Sequence, residues 1–263
     1  MATDMGMTAA AVTNGRLSSK LRRAGEKMPM IDFHSHILPG IDDGSRDLAM
    51  TGHMLRKVVR QRVAVMAATP HFYGDKDTIE RFLKRRQEAL EKTLPLAEEA
   101  GIQLLAGAEV AYFDNMSQAA GIEKLTLAGT EILLVEMPFR AWSRREIQEL
   151  DRLLHEGYQL MLAHLERYLG FQKDKGILEA IYERPIFVQL NAESLLGFWN
   201  GQKALKLFKE GRAHLLGSDC HNLTSRPPNL AEGRAVIEKK LGRAKLAQID
   251  ELGRSLLGKV NLS

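Results

Sequence analysis

Two chemistries overlap in the segment GSDCHNLTSRPP, residues 217–228. Cys220, the only cysteine of the chain, stands six residues before Arg226. That C-x5-R spacing belongs to thiolate phosphate chemistry, in which sulfur attacks phosphorus and the arginine holds the phosphoryl oxygens. Asp219 and His221 flank the same cysteine as a D-x-H pair. On an extended strand residues i and i+2 share a face, so these two could reach one metal ion. His34-x-His36 has the same property. The thiolate reading needs a loop of consecutive backbone N–H groups round the anion, usually with glycine. HNLTS contains no glycine, and Pro227 and Pro228 follow at once.

The elements that must position these residues are legible as a rhythm. Short apolar runs at 30–37, 63–72, 102–110, 131–139, 159–168, 185–193 and 213–221 read as seven buried strands. Amphipathic stretches at 48–62, 78–101, 143–157 and 203–211 read as helices, the second interrupted at Pro95. Alternating strands and helices mean βαβ units and a parallel sheet. Seven strands suggest a closed or nearly closed barrel, with an open doubly wound sheet as the competitor.

In a parallel α/β barrel the functional groups sit at the C-terminal ends of the strands. Six of the seven predicted ends carry imidazole or carboxylate: His34 and His36 with Asp42 and Asp43 beyond them, His71, Glu109, Glu136, His164, and Asp219 with His221. The sixth strand ends in Gln189 and Asn191 and offers no obvious ligand. Converging carboxylates repel, and buried charge without a partner is costly. Divalent cations resolve both problems. Some nine nitrogen and oxygen ligands without a thiolate suit two or three ions of manganese, iron or zinc.

The bulk properties are compatible with one domain. The chain has 263 residues, 44% of them hydrophobic, and a net charge of +4. Residues 1–28 carry five basic and two acidic side chains and read as a disordered basic leader, without the apolar stretch of a signal peptide. The remaining 29–263 are close to neutral, which gives no footing for a nucleic-acid partner. One cysteine excludes an internal disulfide and fits a reducing cytoplasm. No apolar run approaches the ~20 residues of a transmembrane helix.

The motifs DFHSHILPGIDDGS, ATPHF, AGAEV, LLVEMPF, AHLERY and GSDCHN, in this order, resemble the PHP superfamily of metal-dependent phosphoesterases. Within it they are similar to the bacterial protein-tyrosine phosphatases of capsule and exopolysaccharide synthesis. The resemblance implies a distorted (β/α)7 barrel of the PHP type and a manganese centre. It implies His34, His36, Glu109 and Asp219 round one ion, and Glu109 bridging to a second with Glu136 and His164. Asp43, His71 and His221 would hold a third. Arg167 and Arg226 match basic residues that face the substrate phosphate, and His71 or a metal-held water would supply a proton. Asp32 would orient a ligand. The reaction implied is attack of metal-activated hydroxide on phosphotyrosine. The partner would be the C-terminal tail of a bacterial tyrosine kinase, which would recruit a cytoplasmic enzyme to the inner membrane surface. Competing readings are a PHP phosphatase for a small phosphomonoester such as histidinol phosphate, a PHP nuclease, a cysteine-dependent phosphatase using Cys220 and Arg226, and a metal-stabilised scaffold without activity.

Overall fold

The structure, a computed structural model, describes residues 30–258. The basic leader expected over 1–28 lies outside the described residues. Among the described residues there are nine strand segments and seven α-helices, largely in alternation, and every strand pairing is parallel. The strands are β1 (Met30–Asp32), β2 (Val63–Ala68), β3 (His71–Tyr73), β4 (Gln103–Ala106), β5 (Glu109–Ala111), β6 (Ile132–Glu136), β7 (Gln159–Leu162), β8 (Phe187–Asn191) and β9 (Leu215–Gly217).

Nine segments arise from seven runs because two runs break. Pro70 lacks an N–H and ends the ladder of β2, and the chain re-enters as β3. The second break, at Gly107 and Ala108, separates β4 from β5. The hydrogen bonds therefore draw two sheets, β1-β2-β4 and β3-β5-β6-β7-β8-β9. The single closed ladder of a seven-stranded barrel is not formed. At the seam between first and last strand there is one isolated bridge, Ser35 to Cys220. Two backbone bonds flank it, from His36 N to Cys220 O at 3.0 Å and from Asp219 N to His34 O at 2.8 Å.

Period-two alternation gives the strands two apolar faces. Val65, Ala67, Ile132, Leu134, Met161 and Leu215 turn to an inner cluster, which residues near the C-terminus, Leu252, Leu256 and Leu257, also join. Leu133, Val135, Leu160, Leu162, Val188 and Leu190 face an outer cluster beneath the helices. The interior is thus packed, and the chemistry is left to the strand ends.

The first four helices begin where side chains cap them. Asp47 caps α1 (Leu48–Arg60) through Met50 N, and Thr78 caps α2 (Ile79–Ala100) through Arg81 N. Ser143 and Glu146 form a capping box on α3 (Arg144–His155). Helix α2 runs unbroken through Pro95, where the sequence predicts an interruption. Its buried face, with Ala89, Thr93 and Ala97, holds the turns on both sides of the proline. The remaining helices are α4 (Lys175–Tyr182), α5 (Phe198–Lys209), α6 (Leu230–Leu241) and α7 (Arg243–Leu256). Among the described residues no helix is long and apolar enough to cross a membrane.

Candidate metal centre

The strand ends gather all nine of the residues singled out as metal ligands. Four atoms form the buried heart: His34 Nε2, His36 Nε2, Glu109 Oε2 and Asp219 Oδ1. The two imidazole nitrogens are 3.2 Å apart. The glutamate oxygen lies 3.2 and 3.3 Å from them, and the aspartate oxygen 3.5 and 3.3 Å. Ligands ~2.0–2.1 Å from a tetrahedral ion are separated by ~3.3 Å, so the spacing is that of atoms sharing one cation. Glu109 Oε2 and Asp219 Oδ1 are buried with no hydrogen-bond partner. A carboxylate oxygen in that condition is costly unless a cation completes it.

The other glutamate oxygen turns the opposite way. Glu109 Oε1 is 2.7 Å from His164 Nε2, and Glu136 Oε1 is 3.7 Å from the same nitrogen. On the other flank Asp43 Oδ1 stands 3.4 Å from His221 Nε2 and 3.6 Å from His71 Nε2. His71 Nδ1 is 2.9 Å from Glu109 Oε2, so both its nitrogens face carboxylates. Four overlapping groups result, sharing His34, His36, His71 and Glu109, each with ligand atoms within 4.8 Å of one another. The centre is one continuous constellation. Most of it is fully buried, while the Asp43 side chain is 65% exposed and marks the mouth.

Local backbone explains the convergence better than regular strands do. β1 ends at Asp32 and β9 at Gly217, so His34, His36, Asp219 and His221 lie beyond the ladders. His164 and Asp219 adopt left-handed conformations, with φ of 33° and 51°. Such backbone costs of order 1–3 kcal/mol and collects at functional sites; His and Asp bear it better than most residues. Gly44 is required by close approach: a Cβ there would stand 2.4 Å from His36 Cβ. Asp42 then reaches back, accepting from Gly44 N at 2.9 Å and His71 N at 2.9 Å, and pairs with His36 Nδ1 at 2.7 Å. Asp42 thus orients a ligand, and Asp43 is the acid of the loop that joins the constellation. Asp32 accepts from His34 N at 3.2 Å and Ser218 N at 2.8 Å. It fixes backbone on both sides of the seam and grips no ligand side chain.

Strand β8, the sixth of the seven predicted runs, supplies what sequence reasoning missed. Gln189 Oε1 faces His34 Nδ1 at 3.1 Å and accepts from His164 N at 3.0 Å, while the Gln189 amide donates to Asn191 Oδ1 at 3.0 Å. Asn191 Nδ2 donates to Asp219 Oδ2 at 2.6 Å. Two neutral amides therefore hold three of the candidate ligands, His34, His164 and Asp219. The available signal was their i, i+2 spacing at a strand end.

Electrostatics follow the geometry. Burial opposes charge on Glu109, but His34 and His164 outweigh it and hold its carboxyl well below the ordinary range. Burial also opposes charge on Asp219, which His34 and His36 hold down in the same way. Burial would lower the His34 pKa, yet Glu109 and Asp219 raise it. Burial, then repulsion from Glu109, pushes Glu136 up to about 7.

Both arginines reach the mouth. Arg226 Nη2 donates to Asp219 Oδ2 at 2.5 Å, and its Nη1 is 3.9 Å from Asp43. The Arg167 guanidinium lies 4.8 Å over the ring of half-exposed Phe139 and 3.8 Å from Asp219 Oδ2. The plain alternative role for Arg167 is an ion pair with Glu166 or a neighbouring carboxylate; Glu166 instead accepts from Asn191 N at 3.1 Å, and the carboxylate Arg167 meets is Asp219. Cys220 takes no part. Its side chain is fully buried in the outer apolar cluster, and burial pushes the thiol up to about 12.

The comparisons with known proteins agree with this chemistry. The family model described as "Capsular polysaccharide synthesis, CpsB/CapC" matches residues 30–251. Tyrosine-protein phosphatase YwqE of Bacillus subtilis is 31% identical over 81% of this chain and 85% of that protein. Tyrosine-protein phosphatase CpsB of Streptococcus agalactiae is 27% identical over 84% and 94%. A solved structure described as YwqE from Bacillus subtilis and CpsB from Streptococcus pneumoniae, "unique metal-dependent tyrosine phosphatases", superposes with a TM-score of 0.77 at 28% identity, covering 88% of this chain and 95% of that one. A TatD-like protein from Archaeoglobus fulgidus shares the fold alone, with a TM-score of 0.50 at 12% identity over 87% and 99% of the two chains.

Proposed function

The chain belongs to the CpsB/CapC family of capsular polysaccharide synthesis proteins, and from that premise we propose that it removes phosphate from protein phosphotyrosine at the constellation just described. It is a metal-dependent phosphatase of the kind its relatives are named for. The observation that carries the reading is the buried quartet of His34, His36, Glu109 and Asp219, with two carboxylate oxygens that have no hydrogen-bond partner. His34, His36, Asp43, His71, Glu109, Glu136, His164, Asp219 and His221 are assigned as the ligands of two or three ions. The mixed imidazole and carboxylate set favours manganese, with iron and zinc as the other candidates. Such ions, when bound by these residues, would supply Lewis-acid activation of water at neutral pH and offset charge on the phosphoryl oxygens.

The chain's own groups do the rest. Arg226 and Arg167 flank the mouth and take phosphoryl oxygens by charge-assisted hydrogen bonds. Asp219 Oδ2 holds Arg226 in that position before substrate arrives. Asp42 and Gln189 keep the Nδ1 protons of His36 and His34 directed away from the ions, leaving Nε2 to ligate. A phenol has a pKa of ~10, so tyrosinate departs with little help from an acid. The substrate is taken to be a phosphotyrosine-bearing tail of a bacterial tyrosine kinase, met at the cytoplasmic membrane face.

Hydrolysis of a phosphotyrosine peptide by the wild type, His36→Ala and Cys220→Ser, each with manganese and with EDTA, tests the proposal. The expected pattern is loss with EDTA, loss in His36→Ala, and retention of activity in Cys220→Ser at a stability cost of about 1–3 kcal/mol for a buried hydroxyl. A dead Cys220→Ser variant beside a wild type that ignores EDTA would sink it. Histidinol phosphate and single-stranded DNA, run in parallel, separate the small-molecule phosphatase and nuclease readings.

A further inference from the structure

Beside the metal centre a cleft of about 770 Å³ runs from the loop after β1 to the first turns of α2. Asp42, Asp43 and His71 line it as well as the centre, so the two are continuous. Its floor is the half-buried Tyr73, backed by the buried rings of Phe72 and Phe82, and its wall is basic, with Lys76, Arg81, Lys84 and Arg85.

The basic wall is organised. Asp77 pairs with Arg81 at 3.0 Å and Arg85 at 2.5 Å, and Arg85 also donates to Ile41 O at 3.2 Å. One aspartate thus holds two guanidinium groups at the cleft without cancelling both charges. The Lys76 ammonium sits 4.6 Å over the Tyr73 ring. Among the described residues Lys76 and Lys84 make no ion pair. The whole lining holds four cations and four carboxylates, but Asp42 and Asp43 stand at the metal-centre end; the end formed by α2 and the residues just before it sets Lys76, Arg81, Lys84 and Arg85 against Asp77 and Glu88 alone. It also lies at the N-terminal end of the long α2, whose dipole favours anions.

We infer that this cleft is a subsite for acidic side chains flanking the phosphotyrosine of an extended peptide. The inference rests on the phosphotyrosine reading above and adds a substrate preference to it. The phosphate enters the metal centre past Asp43, and the neighbouring segment lies along the aromatic floor. Its carboxylates then meet Lys76, Lys84 and the arginine pair. Charge complementarity of this kind acts on encounter and register, and salt screens it.

The test is a ratio measured within one protein, which cancels differences in folded fraction and metal loading. Compare kcat/KM for a phosphotyrosine peptide bearing glutamates on both sides with the same peptide bearing alanines. The wild type should prefer the acidic peptide by about tenfold at low ionic strength, with the preference collapsing toward unity at about 0.5 M salt. The charge-reversed double variant Lys76→Glu/Lys84→Glu, which breaks no ion pair of the fold, should abolish or invert the preference. Equal use of both peptides by the wild type at low salt overturns the inference and leaves the phosphatase reading intact. So does a double variant that keeps the wild-type ratio. If neither peptide is cleaved while p-nitrophenyl phosphate is turned over, the phosphotyrosine reading falls and takes this one with it.

Discussion

Gln189→Leu separates an oriented metal ligand from one that is merely nearby. Gln189 Oε1 serves two buried donors, His34 Nδ1 at 3.1 Å and His164 N at 3.0 Å. Leucine keeps the bulk and removes the acceptor. Two buried N–H groups then lack partners at about 1–3 kcal/mol each, a total of a few kcal/mol against a typical domain stability of about 5–15 kcal/mol. The variant should therefore fold, with a clearly lower melting temperature. The larger consequence is chemical. Without an acceptor at Nδ1, His34 can carry its proton on Nε2, the nitrogen 3.2 Å from Glu109 that must ligate. Loss of such a partner costs about 10–100-fold in metal affinity. Calorimetric titration of the EDTA-stripped protein with manganese reads this directly, and circular dichroism checks the fold. Gln189→Glu, which keeps the acceptor, should recover most of the affinity. A folded leucine variant that binds manganese with wild-type affinity would refute the tautomer argument.

Three further outcomes follow from the same geometry. Burial beside Glu109 pushes Glu136 up to about 7, and the carboxylates raise His34 against its burial. Both must shed protons to ligate, so manganese affinity should climb between pH 6 and 8, with protons released on binding; titration in buffers of different ionisation enthalpy measures them. For stability the sign is opposite. A buried acid with a raised pKa costs the metal-free fold progressively as pH rises from the ordinary carboxylate range through about 7. The stabilisation from protonated His34 is lost in the same direction. Melting temperature should fall with pH in the metal-free protein and not in the manganese-loaded one; parallel profiles would contradict the assignment. Arg226→Ala should lower kcat/KM on a phosphotyrosine peptide by about 10²–10³ at saturating manganese, with partial recovery in Arg226→Lys. An unchanged rate would remove Arg226 from phosphate binding.

The sequence exposed the charged part of the site and hid its support. Imidazoles and carboxylates stand out against apolar runs because burying them is expensive, so His34, His71, Glu136 and Asp219 could be picked by type and position. Gln189 and Asn191 could not, since a neutral amide after a strand is commonplace and their value lies in distances to His34 and Asp219. The choice between Asp42 and Asp43 was likewise undecidable from adjacency. It turns on Gly44 letting the loop close on His36, so that one acid points back to an imidazole and the next points out. In the fold, the parallel α/β pattern was readable from alternation. The steps at Pro70 and Gly107, which split the strands into two sheets, depend on ladder register that no single run encodes.

The C-x5-R spacing shows how a local motif can be geometrically empty. Regular alternation would send Asp219 and His221 one way and Cys220 the other, but the strand has already ended at Gly217. Cys220 is held by its backbone instead: it bridges Ser35, and its carbonyl accepts from His36 N. With the backbone fixed there, the thiol enters the apolar layer and Asp219 turns left-handed to reach the centre. After His221 the chain doubles back. Arg226 O accepts from His221 N at 2.9 Å and Asn222 N at 3.2 Å, while Asn222 Oδ1 accepts from Thr224 N and Arg226 N. This closed turn brings the guanidinium to Asp219 Oδ2. The five intervening residues measure the return path from the seam to the mouth, and the arginine is held at that mouth by an aspartate with no contribution from sulfur.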